Sequence, residues 1–231
     1  MALIERAPAE AIPAGIKLAP HRALNILHVM RAPVGGLFRH VLDLARGQSA
    51  RGHRVGIVAD ASTGGAEAES KLARVAPWLS LGVTRIGMSR HLGPHDAAAR
   101  AHVARRAAEA DADVVHGHGA KGGAYARLIA DRRPIRVYTP HGGSLHYAWS
   151  SPAGFIYLAS ERLLMQRTDL LLFESAYGRD IFQARLGKAP PFSRVVHNGI
   201  AAEEFAAVAL DSRATDAVFV GELRLLKGAM Y

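Results

Sequence analysis

Short apolar runs of strand length alternate along the sequence with longer segments whose apolar positions recur every three or four residues. Leu24 to Met30 is the first run, and Pro33, Gly35 and Gly36 follow it. Leu37, Phe38, Val41, Leu42, Leu44 and Ala45 then fall on one stripe of a helix, with Arg39, His40, Asp43 and Arg46 facing elsewhere. Gly52 stops that helix, and Val55 to Ala59 makes a second strand. The alternation continues with a helix over Glu67 to Leu79, a strand over Val83 to Met88, and an alanine-rich helix over Asp96 to Ala110. Asp113 to His116 is a fourth strand, and a helix over Ala124 to Asp131 leads to a fifth, Ile135 to Thr139. Pro152 starts a helix capped by Ser150 or Ser151, followed by the strand Leu170 to Phe173, a helix over Tyr177 to Leu186, and the strand Arg194 to Val196.

Strands alternating with helices in this way predict an α/β fold: a doubly wound, mostly parallel, Rossmann-like sheet with helices on both faces. Glycine-rich polar tails recur where the strands end: APVGG, HGHG, TPHGG, ES and HNG. Ligands of open parallel sheets bind outside those same ends, so the tails are the candidate chemistry. The domain is expected over 24–200, preceded by a loose leader (1–23) and followed by an irregular linker (201–216). The segment 217–231 reads as a strand and loop that begin a second domain.

Composition narrows the function classes. Hydrophobic residues at 49% describe a globular chain, and no apolar run is long enough to span a bilayer. The leader carries Glu5 and Glu10 and lacks the apolar centre of a secretory signal. Absence of cysteine excludes disulfides and thiolate metal sites and fits a reducing cytoplasm. A net charge of +9 favours a phosphorylated ligand first and peripheral contact with an anionic membrane surface second. Nucleic acid is not expected, because aromatic residues are only 6% and no binding motif is present.

Each tail has a chemical and a plain reading. Gly35 and Gly36 let a ligand approach the backbone next to unpaired helix amides, which favours a phosphate; otherwise they make a tight turn. His116 and His118 point to one side of their strand as polar residues lining the mouth of a cleft. A metal is not expected there, since no third or fourth ligand stands out. His141, followed by Gly142 and Gly143, can bring an imidazole and backbone amides onto a sugar hydroxyl or a developing charge, or is a satisfied loop histidine. Glu174 and Ser175 can bind hydroxyls, although Ser175 can equally cap the next helix. His146, Tyr147 and Trp149 suit an acceptor ring or a core, and Arg224 and Lys227 suit a diphosphate or a solvated tail.

Taken in order, ILHVMRAPVGGLFRHVLDLARG, DVVHGHGAKGG, TPHGG, LLLFES, VVHNGI and VGELRLLKG resemble the N-terminal half of a family four glycosyltransferase of GT-B architecture. The resemblance runs from Leu24 to about Gly228. It implies metal-independent transfer of a sugar from a nucleotide-diphosphate donor to a sugar, lipid or polysaccharide acceptor, with anomeric retention and no further cofactor. It implies that Gly35 and Gly36 lie against the donor phosphate or the transferred sugar, and that His141 contacts that sugar. The acceptor side would hold His116, His118, Gly142, Gly143, Glu174, Ser175 and Asn198, and the second domain would grip the diphosphate through Arg224 and Lys227.

Two departures stand out. Glu222 occupies the place of the family's arginine, leaving Arg224 as a substitute, and the paired-glutamate motif of the donor domain does not occur. The expectation is an acceptor half with little or no activity alone, cytoplasmic or peripheral at the inner membrane face. Two rivals remain: a nicotinamide-dependent Rossmann oxidoreductase, with Asp60 as the ribose-binding acid, and a non-enzymatic interaction module.

Overall fold

The computed structural model of the chain describes residues 22–215 except 188, 190, 191, 201, 210 and 212. It divides into one unit ending at Asn198 and a second beginning at Gly199. In the first unit seven strands form one parallel sheet: β1 (Asn25–Met30), β2 (Arg54–Asp60), β3 (Gly82–Ile86), β4 (Val114–His118), β5 (Ile135–Thr139), β6 (Leu170–Phe173) and β7 (Ser193–Val195). Their spatial order is β3-β2-β1-β4-β5-β6-β7, with every pair parallel. The helices are α1 (Gly35–Ser49), α2 (Gly65–Val75), α3 (His95–Glu109), α4 (Gly119–Arg127), α5 (Pro152–Leu164) and α6 (Ala176–Leu186). The chain leaves β1 in one direction for β2 and β3, and the remaining strands extend the other way. The sheet's topological switch point therefore lies between β1 and β4.

Alternate residues of β1 serve opposite faces of the sheet. Met30 packs with Phe38 and Val41 of α1 and with Ala68 and Leu72 of α2. Leu27 and Val29 pack with Ala99 and Val103 of α3 and with Tyr125 and Ala126 of α4. A third cluster joins Tyr138, Leu158, Leu171, Phe173 and Phe182 beneath α5 and α6. Both faces are thus covered by helices, as a doubly wound sheet requires. Among the described residues no helix is long and apolar enough to cross a membrane.

The strands lie close to their sequence limits, but two elements around the glycine tails do not. β4 runs on through His118, because it is central and pairs with β1 on one side and β5 on the other. α4 starts at Gly119, five residues before the periodicity predicts, and takes in Gly122 and Gly123. Glycine is a poor helix former, so packing holds this turn in place. A Cβ on Gly122 would fall on the Val29 carbonyl, and one on Gly123 would fall inside the Tyr138 ring. The second unit shows a short 3-10 helix, Ala202–Phe205, within the predicted linker. The strand expected over 217–220 lies outside the described residues.

Candidate active site

β1 and β4 pair so that His28 stands opposite His116 and Met30 opposite His118. All three imidazoles therefore share the α1 side of the sheet, next to the switch point. Two of them belong to a continuous hydrogen-bonded row. His28 Nε2 lies 2.7 Å from Gln48 Oε1 of α1, and His28 Nδ1 lies 3.0 Å from His118 Nε2. His118 Nδ1 in turn lies 3.1 Å from His141 Nε2, and His141 Nδ1 donates to Glu174 Oε1 across 2.9 Å. Asn198 Nδ2 donates to the same carboxylate oxygen at 3.0 Å, and His197 Nδ1 donates to the Glu174 carbonyl at 3.1 Å. His40, from the second turn of α1, brings its ring centroid to 5.9 Å from that of His118 and 5.2 Å from that of His141. His116 sits to one side, stacked on His118 with centroids 3.9 Å apart, its Nε2 2.9 Å from Thr139 Oγ1.

The turn after β5 delivers His141. His141 has φ +50°, and Gly142 and Gly143 follow with φ of +76° and +40°. Three successive left-handed residues reverse the chain tightly, and only the first of them carries a side chain. A bond from Ser144 Oγ to Glu161 Oε1 (3.2 Å) anchors the turn to α5. Beside it opens a cleft of about 390 Å³, lined by His141, Gly142, His146, Glu174, Ser175 and Arg185 among others. Ser175 faces this cleft while its Oγ accepts from Gly178 N at 3.0 Å, so it also caps α6.

Burial sets the charge of these groups. Desolvation lowers His28 to about 4, with the Gln48 bond opposing it and His40 adding to it. His116 and His118 lie well below the ordinary histidine value, through burial first and then the neighbouring imidazoles. His40 is lowered too, by burial and then His141, against the carboxylate of Glu174 and a hydrogen bond with Asn198. Burial would raise Glu174, but the hydrogen bond and charge of His141 and the Asn198 bond hold it below its usual value. Near neutral pH His28 and His118 of the row, and His40 beside it, are neutral, next to an ionised Glu174 carboxylate.

The structure gathers most of the expected site residues and corrects two readings. His116 and His118 are 3% and 1% exposed, inside the sheet and not at a cleft mouth, because β4 extends through both between β1 and β5. They also have the further imidazoles that spacing alone did not reveal. Single nitrogens of His28, His116 and His118, and likewise of His40, His118 and His141, lie within 4.8 Å of one another. Gly35 and Gly36 are the first residues of α1, exposed, with nothing near where a side chain would begin and no side chain capping the helix. Trp149 packs into the third cluster and donates to the Arg185 carbonyl at 2.9 Å, so it belongs to the core. Arg224 and Lys227 lie outside the described residues.

Sequence reasoning missed His28, His40 and Gln48. A histidine inside the apolar strand NILHVM was the available signal for the first. Asp60, the ribose-binding acid of the oxidoreductase rival, is buried. Its Oδ1 accepts from Met88 N at 2.7 Å, and its Oδ2 accepts from Ser62 Oγ at 2.7 Å and Thr63 Oγ1 at 2.8 Å. With the Ser62 amide as a further donor and the side chain wholly buried, this carboxylate has no free face for a ribose.

Comparison with known proteins gives a consistent result. A glycosyltransferase from Rickettsia africae ESF-5 superposes with a TM-score of 0.59 at 17% identity, over 80% of this chain and 45% of that one. Anabaena HepE, solved in complex with UDP-glucose, superposes with a TM-score of 0.56 at 18% identity, over 78% of this chain and 45% of that one. The chain thus spans under half the length of these two relatives, and at such identities the likeness establishes the fold. No curated protein sequence matches significantly. The sequence profile of Glycosyltransferase Family 4 matches residues 34–204, well over half of the chain and the whole stretch from the start of α1 to beyond β7; the chain belongs to Glycosyltransferase Family 4.

Proposed function

We propose that the chain supplies the acceptor-side half of an enzyme moving a sugar from a nucleotide-diphosphate donor to a sugar, lipid or polysaccharide acceptor. Transfer on this reading needs no metal and retains the anomeric configuration. The observation that carries it is the meeting of β4, β5, β6 and the tail after β7 with the start of α1 at one sheet edge, beside an open cleft. The uncapped start of α1, with Gly35 and Gly36, suits the donor phosphate or the sugar attached to it. Glu174 holds the His141 ring by Nδ1, so His141 acts through Nε2, exchanging His118 for a sugar hydroxyl. Glu174 and Asn198 offer further hydroxyl partners, and Gly142 and Gly143 allow close approach to the backbone. Arg224 and Lys227 take the diphosphate. The UDP-glucose complex of HepE supports a nucleotide-sugar donor. The net charge of +9 supports a cytoplasmic protein touching an anionic membrane face.

Isotope-labelled chain titrated with UDP-, GDP- and ADP-hexoses, with amide shifts followed by NMR, tests the reading. Shifts are expected at Gly35, Gly36, Gly142, Gly143 and Glu174, with sugar transfer close to background because catalysis needs both walls of the cleft. No shift at those amides with any donor overturns the site. Robust transfer by the chain alone overturns the half-enzyme reading.

A further inference from the structure

The cleft beside the His141 turn follows one face of α6. Tyr177, Ile181 and Arg185 line it at intervals of four residues, so they form a single stripe over two turns, about 12 Å of helix. Glu174 and Ser175 line it just before α6 begins, and Glu174 is there bonded to His141. Arg185 comes from the last turn of α6. Between these ends stands Ile181, and Leu145 and Phe173 add further apolar lining. Tyr177 is 76% exposed and offers an aromatic face to whatever enters.

Arg185 is half-buried and faces no carboxylate. Its Nη1 donates to the Tyr147 carbonyl at 2.5 Å, and its own carbonyl accepts from Trp149 Nε1 at 2.9 Å, which ties the end of α6 to the segment after the turn. A guanidinium carries five N–H donors, and the others on Arg185 have no acceptor among the described residues. The fully buried Arg127, by contrast, meets Glu161 at 2.8 Å, and Arg136 meets Asp169 at 2.9 Å. Glu174 is the one carboxylate lining the cleft, and His141 and Asn198 already engage it. A partly desolvated cation with open donors is complemented by an anion from solution, and the planar fork matches a phosphate or a carboxylate.

We propose that the acceptor is a sugar or other polyol bearing a phosphate or carboxylate group, with its hydroxyl received at Glu174 and His141 and its anion at Arg185. This rests on the acceptor-side reading above and narrows it to anionic acceptors. The apolar lining between the two ends takes the carbon skeleton.

Isotope-labelled chain titrated with glucose 6-phosphate, glucuronate and glucose tests the proposal, with the Arg185 Nε–H and the Gly178 amide followed by NMR. Saturable shifts at both groups are expected with the phosphate or the carboxylate, and the tighter of the two identifies the anion. Its affinity should exceed that of glucose at least about 10-fold, the worth of one hydrogen bond to a charged group. Arg185→Gln keeps an N–H for the Tyr147 carbonyl, so it should bring the anionic sugar down to the affinity of glucose with circular dichroism unchanged. The comparison of charged with uncharged sugar needs no variant and stays decisive if that substitution unfolds the chain. Equal affinity for all three sugars, no saturable shift with any of them, or undiminished binding in a folded Arg185→Gln overturns the anionic acceptor. UDP-glucose separates the two readings. Shifts at Gly35 and Gly36 with UDP-glucose, but none at Arg185 with the anionic sugars, remove this inference and leave the transferase site standing. Shifts at Arg185 with UDP-glucose alone assign the anion to the donor and overturn the inference as well.

Discussion

Replacing Glu161 by glutamine removes one charge from the interior while preserving shape, and its cost follows from the surroundings. Arg127 is fully buried, its Nη2 2.8 Å from Glu161 Oε2 and its guanidinium 3.8 Å above the centre of the Tyr138 ring. Its Nε donates to the Gly123 carbonyl at 2.9 Å, but its Nη1 is buried without a hydrogen-bond partner. Glu161 Oε1 accepts from Tyr138 OH at 2.8 Å and from Ser144 Oγ at 3.2 Å. In Glu161→Gln both hydroxyls keep a carbonyl acceptor, so the loss is that of a carboxylate facing a dry cation. Breaking one side of a buried pair costs about 3–5 kcal/mol, and the surviving hydroxyl bonds place this variant near 3 kcal/mol, a large share of a domain's typical 5–15 kcal/mol. Adding Arg127→Met removes the stranded cation, so the double variant should recover to a loss of about 1 kcal/mol. Urea unfolding of the single and double variants at pH 7, followed by circular dichroism, measures both quantities. A double variant less stable than Glu161→Gln would refute the reasoning, as would a single-variant loss below about 1 kcal/mol.

Two further predictions test the close approach of α4 and the acid limb of stability. Gly123→Ala sets a methyl group into the Tyr138 ring and should cost about 1–3 kcal/mol, seen as a lowered Tm; an unchanged Tm would show that α4 can shift away from the sheet. Burial would raise Asp60, but hydrogen bonds from Ser62, the Met88 amide and Thr63 hold it below the usual carboxylate value. The unfolded chain therefore takes up that proton first: the contribution is complete above the ordinary value of about 4 and is lost as pH falls through the folded one. Asp60→Asn should be less stable at pH 7 yet lose less between pH 4 and pH 2 in urea titrations, and parallel curves would refute it.

The sheet was legible because each strand is a short apolar run closed by turn residues, and burial on both faces enforces that pattern. Ile135–Thr139 and Leu170–Phe173 came out at their observed limits for this reason. α4 was not legible over its first turns, since GAKGGA has little helical preference and forms through contacts with Val29 and Tyr138, which are distant in sequence. The site was legible one residue at a time, at the strand ends, where His141, Glu174 and Asn198 do meet. Their joining to His28, His40 and Gln48 was not, because parallel pairing of β1 with β4 links positions about ninety residues apart, and no local periodicity encodes that.

The backbone at His141 carries a consequence for variation at this position. A left-handed conformation suits glycine, and a side chain with a Cβ is held there against a preference of order 1 kcal/mol. His141→Gly should therefore relax the turn, and the lost hydrogen bonds to Glu174 and His118 would be offset in part by that relief. The net loss should therefore be smaller than two buried hydrogen bonds would suggest, so at this turn the imidazole contributes less to folding than its contacts imply and its chemistry can be probed by glycine with the fold intact.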